Sequence, residues 1–381
     1  MATYRFSFPT MIHFGAGVRR QAGLHLKEKG LKKPLFVTDR GLGALPVCHE
    51  FLEELRSEGL GYASFSEIWG NPVKSQVLAG GAAYRKHGCD SLIGFGGGAA
   101  LDVAKAIALL INHPGDLFDY EDDKPGARPF DQTIPYWIAL PTTAGTGSEV
   151  GRSSVVSDDE THLKKIIFSP VLLAKAVFAD PELSRELPAK MTAATGMDAL
   201  THCVEAFLAK GYHPLCDGIA LEGFRLSAGA LVRAVKEPKN LDARSDMLMA
   251  SMMGAIAFQK GLGLTHSCAH ALSTVADMHH GLANGVMLDH ALRINAIPTA
   301  ERFSRMAQTI GLRETGPENL LEWFGRLKAE VGIPRNLTEA GVPRDRLSKL
   351  VEVAVHDACH PSNPVPCTRE TFLDVFSRAF G

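Results

Sequence analysis

The sequence predicts an α/β domain built on a parallel sheet, followed by an all-helical domain. Three observations carry that prediction. Short β-rich runs alternate with helix-favouring stretches over the first half of the chain. Three of those runs end in glycine or small polar residues, as strands do where an open parallel sheet meets a ligand. Beyond about Pro188 the β-branched runs give way to long segments of helical spacing.

The elements follow in order. Residues 4–8 and 11–14, joined by Pro9-Thr10, read as a short hairpin leading into a helix near residues 19–29. Residues 34–39 form a buried strand ending in the polar run Thr38-Asp39-Arg40-Gly41, and a helix is expected over residues 46–58. Residues 91–95 form a strand that runs into Gly96-Gly97-Gly98, with strong helix propensity over residues 99–111. Residues 135–140 form another strand, which ends in Pro141-Thr142-Thr143-Ala144-Gly145-Thr146-Gly147-Ser148. Strands separated by helices pair in parallel, giving a Rossmann-like sheet covered by helices. Helices are then expected over residues 188–208, 215–235, 243–258 and 299–310. The prolines of Asp180-Pro181 and Leu187-Pro188 break regular structure, so the expected domains are residues 1–187 and 188–381.

Composition narrows the function. A chain of 381 residues that is 45% hydrophobic can bury a core in each of two domains. With 40 basic against 42 acidic residues, no charge excess favours nucleic acid or an anionic membrane, which leaves a small molecule as the expected partner. Seven cysteines, an odd number with no C-x-x-C pair, argue against a disulfide framework and a zinc knuckle and fit the reduced thiols of a cytoplasmic protein. Residues 1–9 lack a charged segment followed by an apolar run, and no stretch of about 18 apolar residues could span a bilayer.

The glycine-rich segment Gly94-Phe95-Gly96-Gly97-Gly98 lets backbone approach a diphosphate, and the following helix would aim its N-terminal amides at the phosphate oxygens. The spacing departs from G-x-G-x-x-G, and a triple glycine can equally be a tight turn. The hydroxyl-rich loop at Pro141 and the strand-end Asp39 strengthen the nucleotide reading. Asp39 could accept hydrogen bonds from both ribose hydroxyls and would repel a 2′-phosphate; its alternative role is a helix N-cap. Three such loops point to a dinucleotide.

A second constellation lies in the helical half. Asp198 and His202 stand at i and i+4, where one helix face presents both to a single ion. His266 and His270 repeat the spacing, and His279-His280 follows shortly after. Unpaired polar groups are costly in so apolar a region, which favours a metal site. A mixed oxygen and nitrogen set suits iron(II), zinc or another borderline divalent ion.

Taken together and in this order, the motifs resemble the iron-containing (group III, metal-dependent) alcohol dehydrogenases. The resemblance runs through Phe14-Gly15-Ala16-Gly17, Thr38-Asp39, Asn71-Pro72, the glycine segment to Lys105, the Pro141 loop, Gly196 to Glu205, Gly261 to His270 and His280-Gly281-Leu282-Ala283-Asn284. It implies an NAD-linked dehydrogenase or aldehyde reductase acting on a small primary alcohol or aldehyde, working as a dimer or larger homo-oligomer. It implies Asp198, His202, His266 and His280 as metal ligands, with iron(II) ahead of zinc, and His270 as the catalytic non-ligand histidine. It places Asp39, Asn71, Gly97, Gly98, Thr142, Thr143, Thr146 and Lys164 around the cofactor, NAD rather than NADP, and Ser153, Phe258, Leu262 and Cys359 around the substrate. His279 is left to the pocket or to support of the ligands. Where the family commonly has serine after the triple glycine this chain has Ala99, its usual proline after the second histidine is Ala271, and its Asn-Pro-Arg appears as Asn363-Pro364-Val365, preceded by His360. Arg152 and His360 together could favour an anionic or polar aldehyde. The alternative functions are a zinc-dependent polyol dehydrogenase of the glycerol type, whose site generally has one carboxylate and two histidines, and a metallohydrolase whose glycine loops merely turn the chain.

Overall fold

The structure is a computed structural model that describes residues 6–8 and 10–381. The chain forms two compact units. One comprises Phe8–Thr143 with Ser148–Ser184; the other comprises Arg185–Gly381 with Ala144–Gly147 and the described residues before Phe8.

The first unit runs β1 (Met11–Phe14), α1 (Ala22–Glu28), β2 (Pro34–Val37), α2 (Arg40–Gly43), α3 (Pro46–Ser57), β3 (Ala63–Phe65), α4 (Lys74–His87), β4 (Ser91–Gly96), α5 (Gly98–Asn112), β5 (Tyr136–Pro141), β6 (Ser153–Ser157), β7 (Lys164–Phe168) and β8 (Ala176–Ala179). Six strands form one sheet in the order β1-β8-β5-β4-β2-β3, every neighbour parallel. Strands β2, β4 and β8 are buried along their whole length, as strands covered on both faces must be. Helix α5, rich in alanine and leucine, is buried from Ala100 to Leu110. Phe36, Phe51 and Phe95 form a core triad with ring centroids 5.3 to 6.0 Å apart.

One expectation fails here. Residues 6–8 carry no regular structure, Pro9 and the start of the expected first strand lie outside the described residues, and β1 pairs in parallel with β8 instead of closing a hairpin. The physical reason is visible in the sequence, because Pro-Thr lacks the Gly, Asn or Asp that a two-residue hairpin turn needs. The hairpin of this unit is β6–β7, an antiparallel pair apart from the main sheet.

The second unit contains α6 (Ala189–Leu208), α7 (Pro214–Lys236), α8 (Leu241–Ala257), α9 (Leu264–Ala276), α10 (His280–Ala296), α11 (Ala300–Thr309), α12 (Pro317–Glu330), α13 (Leu347–Val355) and α14 (Arg369–Ala379). The expected helices at 188–208, 215–235, 243–258 and 299–310 correspond to α6, α7, α8 and α11, within two residues at most ends. Helix α6 is buried on nearly every face beyond Thr192 and packs against α7, α8 and α10, so it is the axis of this unit. The segment Ala144–Gly147 is held against α6 and α8, with Ser251 Oγ donating to the Gly145 carbonyl at 3.1 Å. Among the described residues no single helix is long and apolar enough to cross a membrane. The seven cysteines are free thiols.

Candidate metal centre and nucleotide loops

Helix α6 carries Asp198 and His202 one turn apart on a buried face; α9 adds His266 in its first turn, and α10 begins at His280. Each of these four side chains offers one donor atom, and the four atoms lie within 4.8 Å of one another. His280 Nε2 is 3.4 Å and His266 Nε2 4.0 Å from Asp198 Oδ1. The His202 and His266 rings stack with centroids 4.5 Å apart. Asp198, His202 and His266 are buried while His280 is a quarter exposed, so the cluster opens on the His280 side. Gly281 permits this convergence, since a Cβ there would lie 2.4 Å from the Ala194 carbonyl oxygen and would push α10 off α6.

Two residues that the sequence reading gave no role complete the cluster. Glu205, on α6, accepts from His266 Nδ1 at 2.7 Å and from the backbone amides of Gly263, Thr265 and His266 at 3.0, 2.7 and 3.2 Å. It thereby caps α9, which has no side-chain cap of its own, and directs the His266 lone pair through Nε2. Burial works to raise the Glu205 carboxyl, but the bonds from His266 and Thr265 outweigh it and keep it below its usual range. Asn284 Nδ2 lies 2.7 Å from Asp198 Oδ1, 3.2 Å from His280 Nε2 and 3.3 Å from His266 Nε2. An amide has two hydrogens for these three acceptors, so at least one lone pair remains for a cation.

Two of the donors carry shifts that suit a cation. Burial alone would raise Asp198, but His202, His280 and His266 with the Asn284 amide bring its carboxyl down to about 2. Burial pushes His202 down to about 4 against the pull of Asp198, leaving a neutral imidazole. One carboxylate and three imidazoles, convergent on one point, fit a divalent ion of borderline softness.

His270 lies one turn beyond His266 on α9 and stacks on His280, centroids 5.1 Å apart, as a half-buried neighbour. Its Nδ1 donates to Asp357 Oδ2 at 2.7 Å, and Cys359 joins the same group. Of the other expected pocket residues, Phe258 packs its ring 5.2 Å from His202, and Leu262 is half-buried in the loop before α9. His279 is exposed and lines a surface depression with Met278, Leu282 and Arg346. His360 bonds through Nε2 to the Val355 carbonyl at 3.0 Å and sets its ring against Phe372. Asn363 bonds Asn295 and the Leu264 amide, tying the C-terminal segment to the start of α9.

In the sheet unit, β4 lies between β2 and β5, which places the loops after these three strands side by side. Thr142 N donates to the Gly96 carbonyl at 3.0 Å. Gly96 has φ +153° and a Cβ there would meet Ala100 Cβ at 2.7 Å, so the turn into α5 requires glycine. Asp39 Oδ1 caps α2 through the Leu42 amide at 2.8 Å, the structural role weighed for it, while Oδ2 faces Gly96. Gly97 is the N-cap of α5 and lies against Thr143. Asn71 and Lys164 form a second group joined through Ser157, which donates its amide to the Pro72 carbonyl and pairs with Lys164. Buried Lys105 and Asp102 bind this hairpin to α5: Lys105 Nζ donates to the Ser153 carbonyl and Ser148 Oγ, both at 2.7 Å, and Val155 N donates to Asp102 at 3.0 Å. Thr146 is exposed and belongs to the segment grouped with the helical unit. Arg152 sits over the Phe168 ring, 5.8 Å from its centroid.

The chain thus combines a parallel sheet that has adjoining glycine and threonine loops with a helical unit that gathers an aspartate and three histidines able to hold a metal ion. The iron-containing alcohol dehydrogenase description matches residues 9–181, and that of the Fe-containing alcohol dehydrogenase family, C-terminal, matches residues 192–380. The chain is 39% identical to 4-hydroxybutyrate dehydrogenase of Cupriavidus necator over 93% of its own length and 94% of the relative. The crystal structure of a 1,3-propanediol oxidoreductase superposes with a TM-score of 0.95 at 35% identity, covering 100% of both chains. Sulfoacetaldehyde reductase of Bifidobacterium kashiwanohense, solved with NAD+, gives 0.91 at 29% identity, covering 100% of this chain and 99% of that one. The chain belongs to the iron-containing alcohol dehydrogenase family. It is a metal-dependent alcohol dehydrogenase and aldehyde reductase, an oxidoreductase of CH–OH groups, and a hydrolytic role for the cluster is set aside.

Proposed function

We propose that the chain interconverts a small primary alcohol and its aldehyde with NAD(H), using iron(II) held by Asp198, His202, His266 and His280, with zinc as the competing ion. The convergence of those four donors carries the reading. In this scheme the alcohol loses a hydride to NAD+ and a proton to the protein, giving aldehyde, NADH and H+; reduction is the reverse. The ion, when bound, supplies Lewis acidity toward the substrate oxygen, and the nicotinamide supplies the hydride acceptor or donor. Asp198 and the three imidazoles hold the ion, Phe258, Leu262 and Cys359 with Ser153 line the substrate, and His270 takes up or returns the proton. The loops of Gly97, Gly98, Thr142, Thr143 and Thr146, with Asn71 and Lys164, bind the dinucleotide. The chain is read as cytoplasmic and as a dimer or larger homo-oligomer.

Elemental analysis of protein purified without oxygen, coupled to absorbance of reduced nicotinamide with short alcohols and aldehydes, tests the whole reading. Near-stoichiometric iron with NAD-linked turnover is expected; zinc with glycerol oxidation would move the chain to the polyol branch.

Asp39 supports NAD, because its Oδ2 faces the glycine loop and would repel a 2′-phosphate. Asp39→Ala is therefore expected to shift the NAD/NADP ratio of kcat/KM toward NADP by about tenfold or more. An unchanged ratio would assign Asp39 to capping α2 alone. For substrate charge, Arg152 is the residue to vary, since the His360 ring is already engaged with Val355 and Phe372. Arg152→Ala should lower kcat/KM for anionic aldehydes about tenfold while sparing neutral ones. Equal losses with both classes would remove the anionic preference.

A further inference from the structure

Helix α9 presents two histidines one turn apart, and each donates its Nδ1 to a buried or half-buried carboxylate at 2.7 Å: His266 to Glu205, His270 to Asp357. The first pair turns a lone pair toward the metal cluster. The second pair belongs to no ligand set described so far. Asp357 follows the end of α13, and both its oxygens are committed. Oδ2 takes His270 Nδ1, while Oδ1 takes Ser267 Oγ at 2.7 Å and the Cys359 amide at 2.9 Å. Ser267 in turn accepts the His360 amide at 3.0 Å, so the carboxylate is fixed from the α9 side and from its own turn. The Asp357 side chain is 14% exposed and that of His270 29%, which leaves the imidazole accessible and its support covered.

We infer that Asp357 is the positioning residue of the proton-transfer step: it fixes His270 in the Nδ1–H tautomer and holds its ring plane, so that Nε2 carries the lone pair that receives the substrate proton. A carboxylate is an acceptor only, so the nitrogen facing it must carry hydrogen, and the neutral imidazole then has its lone pair on the other nitrogen. Stacking on His280, interplanar angle 24°, restrains one face of the ring. Burial alone would raise the Asp357 carboxyl, yet the bond and charge of His270, with the Cys359 amide and Ser267, hold it well below the usual range, as an ionised acceptor requires. His270, Asp357 and Cys359 also place three donor atoms within 4.8 Å, but both Asp357 oxygens already accept hydrogen bonds, which favours the imidazole pair over a second cation site. This inference rests on the reading of His270 as the proton relay.

The test is a double-mutant cycle on the full-length holoenzyme with His270→Ala, Asp357→Ala and the pair, read as kcat, KM and metal content. Long-range nitrogen–proton spectra of the zinc-loaded protein accompany it, with His270 assigned by the signals lost in His270→Ala. Asp357→Ala is expected to lower kcat about tenfold to a hundredfold with KM for NAD and metal stoichiometry preserved, and to cost less than about twofold once His270 is gone. The His270 spectrum should show Nδ1–H in the parent and lose it in Asp357→Ala. Asp357→Asn keeps the shape and one acceptor oxygen, so it should fall between the parent and Asp357→Ala and serves if the alanine variant does not fold. Equal losses in the presence and absence of His270, loss of metal from the Asp357 variants, or an unchanged tautomer would overturn the inference. Parental kcat in His270→Ala would instead remove the relay reading, while the spectra would still report whether Asp357 sets the tautomer.

Discussion

Replacing His266 by alanine is expected to leave the purified protein without a stoichiometric divalent ion and without measurable turnover. His270→Ala, one helical turn away, should keep the ion and slow turnover by about a hundredfold. The difference follows from placement. His266 Nε2 is one of four convergent donors, and its ring is pinned by Glu205 behind it and His202 beside it, whereas His270 Nδ1 is spent on Asp357 outside the cluster. Elemental analysis of both variants under oxygen-free conditions, alongside kcat for a short alcohol, separates the two roles. Equal metal loss in both would place His270 among the ligands.

The second large effect is expected at Glu205. Its carboxylate is 2% exposed and serves as acceptor for three backbone amides and one imidazole, so Glu205→Ala strips four donors of their partner in a dry environment. Removing one side of such a buried charged network costs about 3–5 kcal/mol. Losing the support behind a metal-bound histidine costs about 10- to 100-fold in metal affinity. Urea unfolding followed by helical ellipticity, on metal-stripped protein, isolates the stability loss from the ion. Metal titration of the folded variant gives the affinity. A stripped Glu205→Ala protein as stable as its parent would mean that water replaces the carboxylate without penalty at the start of α9.

Much of this is legible in the sequence itself. The i, i+4 spacing of Asp198 and His202 fixes their common face as soon as α6 is a helix, because helical geometry is local. The strand ends at Asp39, Gly96 and Pro141 were readable for the same reason, since a β run followed by glycine or threonine marks where a sheet stops. Elements that escaped the reading are short or ambiguous. Strands β3, β6, β7 and β8 have three to five residues each, and α4 carries Gly80-Gly81 in its interior, which lowers its helical signal. The misread hairpin at Pro9 shows the same limit, because a four-residue run does not declare its partner, and β8 lies more than 160 residues along the chain from β1.

Sequence alone thus determined the fold class, the family and the residue types that can bind a metal and a dinucleotide, since each rests on periodicity or on a motif contained within a few turns. Tertiary structure decided which carboxylate stands behind which histidine. Glu205 reaches His266 across 61 positions and Asp357 reaches His270 across 87, and neither pairing leaves a trace in local spacing. Those distances close only because α6, α9, α10 and α13 pack as they do, with Gly281 admitting α10 to within reach of Asp198. Hydrogen bonds within a helix are fixed by chain geometry, whereas a bond between side chains on different helices exists only where packing brings donor and acceptor within about 3 Å.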